Sequence, residues 1–224
     1  MGHREKLRAG DELADAYMSI PTSGKGPGIV VLHAWWGLNE FFMELCDRLS
    51  GEGFVALAPD LYHGETATTI EQAQDLRSRV DRKVADVEMK VAVDHLLSHD
   101  AVTHPQVSVI GFSLGANYAN WLAINKPEDI RSVVLFYGKG GGKLARAEAT
   151  YLGHFAEKDR YGAGPDKVAV FKERLLAAGR EVTFYTYKDT EHWFFEKDRP
   201  DAYNAEAADL AWERTIEYLR NQYR

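Results

Sequence analysis

The stretch Gly111-Phe112-Ser113-Leu114-Gly115 reads G-x-S-x-G, a spacing that can turn a serine into a nucleophile. Upstream lies Val107-Ser108-Val109-Ile110, short and β-branched; downstream, Leu114 to Ile124 is rich in Ala and Leu. A strand before and a helix after make the motif a nucleophile elbow, a tight turn that presents Ser113 at the carboxyl end of a sheet. Glycine at both flanks lets the backbone close up. The helix that follows points its first N–H groups and its positive dipole end at the same spot, where an oxyanion would form.

A serine hydroxyl needs a base, and the base needs an orienting acid. In this architecture the acid and then the histidine follow the serine along the chain. Two histidines follow Ser113. His154 sits in the apolar run Tyr151-Leu152-Gly153-His154-Phe155 and reads as structural, whereas His192 lies past the last strand, in Asp189-Thr190-Glu191-His192-Trp193-Phe194. His192 is the expected base. The acid should leave the preceding strand at the same edge, in Ala156-Glu157-Lys158-Asp159-Arg160-Tyr161-Gly162. Asp159 is the expected acid, with Glu157 its rival. Of the two oxyanion donors, one is the N–H of Leu114. The other comes from His33-Ala34-Trp35-Trp36-Gly37; the N–H of Trp35 is the choice, with Ala34 and Trp36 as neighbours that could replace it.

The elements that must position these residues alternate along the chain. Gly28–Ala34, Phe54–Ala58, Val107–Ile110, Ser132–Phe136, Ala149–Phe155 and Val182–Tyr187 read as strands, with Leu13–Ile20 as an added edge strand. Leu38–Ser50, Ile70–Leu97, Asp166–Ala178 and Tyr203–Tyr218 read as helices, besides the one after Ser113. In the long Ile70–Leu97 segment, Leu76, Val80, Val84, Val87 and Val91 form one apolar stripe. Strands separated by helices predict a mostly parallel sheet with helices on both faces, and such sheets bind ligands outside the carboxyl ends of their strands. No linker or repeat interrupts residues 1–224, so a single α/β domain is expected.

Composition narrows the class. The 224 residues are 45% hydrophobic and carry a net charge of −7 with scattered basic residues, which points away from nucleic acid and anionic membranes as partners. Met1-Gly2-His3-Arg4-Glu5-Lys6 is charged and has no apolar run, so a cytoplasmic protein is expected. Cys46 is the sole cysteine and falls in a helical pattern, where a buried thiol is expected. Gly138-Lys139-Gly140-Gly141-Gly142-Lys143 is followed by Leu144 and lacks the spacing of a phosphate loop. No cluster has zinc spacing, so no metal is expected.

Over nearly its whole length the chain resembles the dienelactone hydrolase family of α/β hydrolases. The matching segments are GIVVLHAWWGLN from Gly28 to Asn39, APDLY from Ala58 to Tyr62, the elbow, Phe136-Tyr137-Gly138, and the loops holding Asp159 and His192. The resemblance implies a minimal α/β-hydrolase fold without a large lid, no cofactor, and a small-molecule ester or lactone as substrate. It implies a Ser113, Asp159, His192 triad, with Trp35 and Leu114 as oxyanion donors. Three positions depart from the family pattern. Well-known members have Cys where this chain has Ser113, a Glu where it has Ala34, and a substrate-holding Arg where it has Glu196. A negative residue at the pocket would repel an anionic lactone, so small neutral esters or lactones are the expected substrates. Trp36, Tyr62, Trp193 and Phe194 are expected to line an apolar pocket beside Glu196. Two other readings use the same residues: hydrolysis of amides or peptides on the triad, and a fold retained for binding alone.

Overall fold

A computed structural model of the protein describes residues 2–9 and 12–224. The chain divides into two compact units, Met1–Val107 and Ser108–Arg224.

In the first unit, β1 (His3–Ala9) and β2 (Glu12–Ser19) pair antiparallel from His3↔Met18 to Ala9↔Glu12. β2 pairs antiparallel with β4 (Val55–Pro59), which pairs parallel with β3 (Gly28–Leu32). The order is β1-β2-β4-β3. Every residue of β3 and β4 is buried, as their unbroken apolar runs require. The sequence reading has no counterpart for β1. It is dominated by charged residues, which suits the outer strand of this set.

Helix α1 (Glu40–Gly51) starts where the Asn39 side chain accepts the N–H of Phe42. The expected single helix over Ile70–Leu97 is two: α2 (Ile70–Arg79) and α3 (Arg82–Ser98). Val80 is extended, and the Asp81 carboxylate accepts the N–H of Lys83, so a new helix begins there. An N-cap side chain stabilises a start by about 1 kcal/mol. The apolar stripe hides this break. Leu76 and Val91 are buried, but Val84 is 46% exposed.

In the second unit the strands are β5 (Val107–Phe112), β6 (Ile130–Phe136), β7 (Thr150–Lys158) and β8 (Val182–Glu191). Their order is β5-β6-β7-β8, and the β6–β7 and β7–β8 pairs are parallel. Helices α4 (Leu114–Asn125), α5 (Pro165–Ala177) and α6 (Ala205–Gln222) connect or follow them. β7 and β8 each run three or more residues past their expected ends at Phe155 and Tyr187. Asp159 and His192 are therefore the first residues off the two strands.

The core of this unit contains a polar network centred on His154. Thr215 Oγ1 donates to the Ala211 carbonyl, so His154 Nε2–H donates to Thr215 Oγ1 at 3.0 Å. His154 Nδ1 then accepts from the Tyr187 hydroxyl at 2.8 Å. Burial pushes its pKa down to about 3, aided by the charge of Arg214. His154 is a neutral, fully bonded core residue. Among the described residues no helix is long and apolar enough to cross a membrane.

Candidate active site

Ser113 stands between β5 and α4 with φ 50° and ψ −105°, a strained setting for any residue but glycine. Close packing enforces it. A Cβ on Gly111 would lie 2.4 Å from the Gly115 carbonyl oxygen, and one on Gly138 would lie 2.5 Å from the Ser113 carbonyl oxygen. The Ser113 N–H donates to the Phe136 carbonyl at 2.9 Å, tying the elbow to the end of β6. Leu114 is the first residue of α4, within the turn whose N–H groups have no acceptor inside the helix.

Ser113 Oγ lies 2.8 Å from His192 Nε2, and His192 Nδ1 lies 2.6 Å from Asp159 Oδ2. The side chains of His192 and Asp159 are 4% and 0% exposed. Burial pushes the Asp159 carboxyl up. The hydrogen bond and charge of His192 and the N–H groups of Tyr161 and Ala163 outweigh it and hold the pKa below the usual carboxylate range. An ionised Asp159 can only accept, so Nδ1 carries the imidazole proton and Nε2 is left to accept from the Ser113 hydroxyl. Glu157, the rival acid, is exposed and accepts the N–H of Asp189 at 3.0 Å instead.

Aromatic rings surround His192. Tyr137 lies 5.0 Å away between centroids, Trp193 4.9 Å and Tyr161 5.3 Å, and Tyr161 and Trp193 pack on each other at 4.5 Å. Sequence reasoning passes over Tyr137 and Tyr161. Their positions, one directly after β6 and the other two residues past Asp159, mark both as edge residues.

Two expected pocket residues are not pocket residues. Glu196 has no accessible surface, and its Oε1 accepts the Tyr137 hydroxyl at 2.6 Å. Burial raises its pKa to about 8, with the Tyr137 hydrogen bond and Arg199 opposing and Asp198 reinforcing the rise. Glu196 is thus a buried acid that presents no negative charge to a substrate at neutral pH and does not repel an anionic one. Phe194 is also fully buried, between Tyr137 at 5.6 Å and Tyr187 at 4.9 Å. Trp193 is 6% exposed.

In the first unit, Trp35 and Trp36 follow β3, with ring centroids 5.5 Å apart, in a turn closed by the Gly37 N–H donating to the Ala34 carbonyl. Gly37 has φ 88°, and a Cβ there would lie 2.5 Å from the Glu65 carbonyl oxygen. His33 steadies this loop. Its Nδ1 bonds the Ala34 carbonyl at 2.7 Å and its Nε2 accepts the N–H of Leu61. Burial lowers its pKa, so the ring is neutral. Asp60, also buried, accepts the N–H groups of Tyr62 and Gly64. Tyr62 and Glu88 line a cavity of about 180 Å³ with Leu76 and Val84.

The family model described as the dienelactone hydrolase family matches residues 14–223. Among curated proteins, the chain is 31% identical to Protein usf of Aquifex pyrophilus, over 98% of each chain. It is also 31% identical to a Bradyrhizobium protein named a probable 2-oxo-3-(5-oxofuran-2-ylidene)propanoate lactonase, over 92% of this chain and 88% of that one. Among solved structures, a dienelactone hydrolase-like promiscuous phosphotriesterase from metagenomic libraries superposes with a TM-score of 0.86 at 19% identity, covering 99% of this chain and 98% of that one. At that identity the likeness shows the fold, a mostly parallel sheet with flanking helices. The chain belongs to the dienelactone hydrolase family and is a carboxylic-ester hydrolase with the α/β-hydrolase fold.

Proposed function

We propose that this enzyme cleaves esters or lactones of small molecules through an acyl-enzyme on Ser113. One observation carries the reading: the hydrogen bonds from Ser113 Oγ to His192 Nε2 and from His192 Nδ1 to Asp159 Oδ2 are unbroken, at 2.8 and 2.6 Å. As Ser113 Oγ attacks the carbonyl carbon, its proton passes to Nε2 and the imidazolium is stabilised by Asp159. The carbonyl oxygen gains a negative charge, received by the N–H of Leu114 and, on the family pattern, the N–H of Trp35. Collapse breaks the ester bond, and His192 protonates the departing alkoxide. Water, deprotonated by His192, then releases the acid and restores the Ser113 hydroxyl.

Tyr161, 42% exposed, and Trp193 offer an aromatic wall beside His192 for an apolar acyl or alcohol group.

The test is labelling with a fluorophosphonate probe, located by peptide mass spectrometry, alongside turnover of neutral esters, lactones and short peptide amides. The expected result is one adduct on Ser113, lost in Ser113→Ala, with turnover of esters or lactones well above amides. An adduct elsewhere, or turnover unaffected by Ser113→Ala, overturns the reading. Faster cleavage of amides would move the chemistry to peptide hydrolysis on the same residues.

A further inference from the structure

Behind His192 lies a pair of ionisable residues that the triad does not use. Tyr137 and Glu196 are both without accessible surface, and the Tyr137 hydroxyl donates to Glu196 Oε1 at 2.6 Å. Tyr137 holds a left-handed backbone, φ 36°, and its N–H donates to the His154 carbonyl at the end of the β6–β7 ladder. Glu196 is tied to the histidine loop, because its N–H donates to the Trp193 carbonyl at 2.9 Å. Its other carboxyl oxygen, Oε2, is buried without a hydrogen-bond partner.

For stability alone this is a poor arrangement. A phenylalanine and a leucine would fill the space without the desolvation cost of a buried phenol and carboxyl. The pair does one thing that an apolar pair would not. It fixes the phenol through a short hydrogen bond, and the ring of that phenol packs on the imidazole of His192 at 5.0 Å. A cation within about 6 Å of an aromatic centroid is attracted by the ring's π-electrons. His192 becomes that cation when it takes the Ser113 proton.

We propose that Glu196 is a positioning residue that acts through Tyr137: it holds the Tyr137 ring against His192 and so favours the imidazolium formed during acyl transfer. The inference rests on the triad reading above. The charged or titratable groups that face Glu196 are Tyr137, Asp198 and Arg199. When Glu196 ionises, with a pKa of about 8, a negative charge appears behind the phenol and strengthens the same effect.

The experiment compares kcat, KM and pH profiles of wild type, Glu196→Gln, Glu196→Leu and Tyr137→Phe on one neutral ester, with Ser113 labelling measured in each. Glu196→Leu and Tyr137→Phe are expected to lose about tenfold in kcat with KM changed less than about twofold. Glu196→Gln, whose amide oxygen still accepts the phenol, is expected to stay within about threefold of wild type at pH 7. Wild-type kcat is expected to rise through a single ionisation between pH 7 and 9, a step that Glu196→Gln lacks. Rescue by Gln and the missing step are effects a purely structural role would not produce. If Glu196→Leu fails to fold, Tyr137→Phe carries the comparison. The proposal is overturned if Gln is no better than Leu, if the folded Leu or Phe variants turn over at the wild-type rate, or if wild type and Glu196→Gln share one pH profile. Loss of Ser113 labelling in wild type would instead overturn the triad reading itself.

Discussion

Lys158 and Glu191 are paired across the parallel strands β7 and β8, just after a register shift between Ala156 and Lys158. They are the last residues of their strands. The next residue on each, Asp159 and His192, therefore leaves the sheet side by side, which is how their side chains meet at 2.6 Å. Glu157, two residues earlier, is spent on the Asp189 backbone.

From that pairing, Asp159→Asn should lower kcat by roughly 10³- to 10⁴-fold, because an amide facing Nδ1 favours the wrong imidazole tautomer. Glu157→Gln should cost less than about threefold. Steady-state kinetics on one ester checks both. Asp159 should also report in acid. Its folded pKa lies below the ordinary value, so it adds stability above that ordinary value that is lost as pH falls through the folded one. The stability gap between wild type and Asp159→Asn, followed by denaturant titration, should narrow below about pH 4.

Ser113→Ala and His192→Ala should each remove at least about 10³-fold of activity with the fold retained, and the double variant should be little worse than either. Losses that add in the double variant would mean that the two side chains, 2.8 Å apart, do not act as one unit.

Gly138→Ala should lower kcat by about 10²-fold although residue 138 bears no reacting group. The new Cβ would meet the Ser113 carbonyl oxygen and the Ala116 Cβ, both at 2.5 Å. Relief of that clash moves the elbow, and displacement of about 1 Å at a nucleophile costs on that order. A variant with the wild-type rate would show that the elbow tolerates the shift.

Glu196→Arg, which restores the residue type of the family pattern, should destabilise the protein by several kcal/mol instead of improving turnover of anionic esters. It would bury a guanidinium and strip Tyr137 of its acceptor. Thermal unfolding and kcat/KM on a neutral ester and its carboxylate-bearing analogue decide between the two outcomes.

Stability should fall between pH 5 and 8 in wild type more steeply than in Glu196→Gln. The folded pKa of Glu196, about 8, stands above the ordinary 4.5. Across that window the native state keeps a proton that the unfolded chain has lost, which costs at most about 1.4 kcal/mol per pH unit. Denaturant unfolding of both proteins across the range measures it; parallel pH dependences would contradict a buried proton on Glu196.

The elbow was legible because its constraints are local. Only glycine tolerates the close approach of position 111 to the Gly115 backbone, and a β-branched run before an Ala-rich run marks strand and helix. His192 was legible by elimination, since His154 lies inside an apolar strand. The alternation of strands and helices was legible from hydrophobic periodicity, but the break at Val80 and Asp81 was not. There an apolar stripe continues past a capping carboxylate, and propensity alone cannot weigh one against the other. The separation of Asp159 from Glu157 depended on where β7 ends and on its register against β8, a long-range pairing that no local pattern encodes. From sequence alone Glu196 looks like a pocket charge, because position in a motif says nothing about burial. Only the packed core, which surrounds the carboxyl and gives it the Tyr137 hydroxyl, turns that residue from a charge facing substrate into a buried acid behind the histidine.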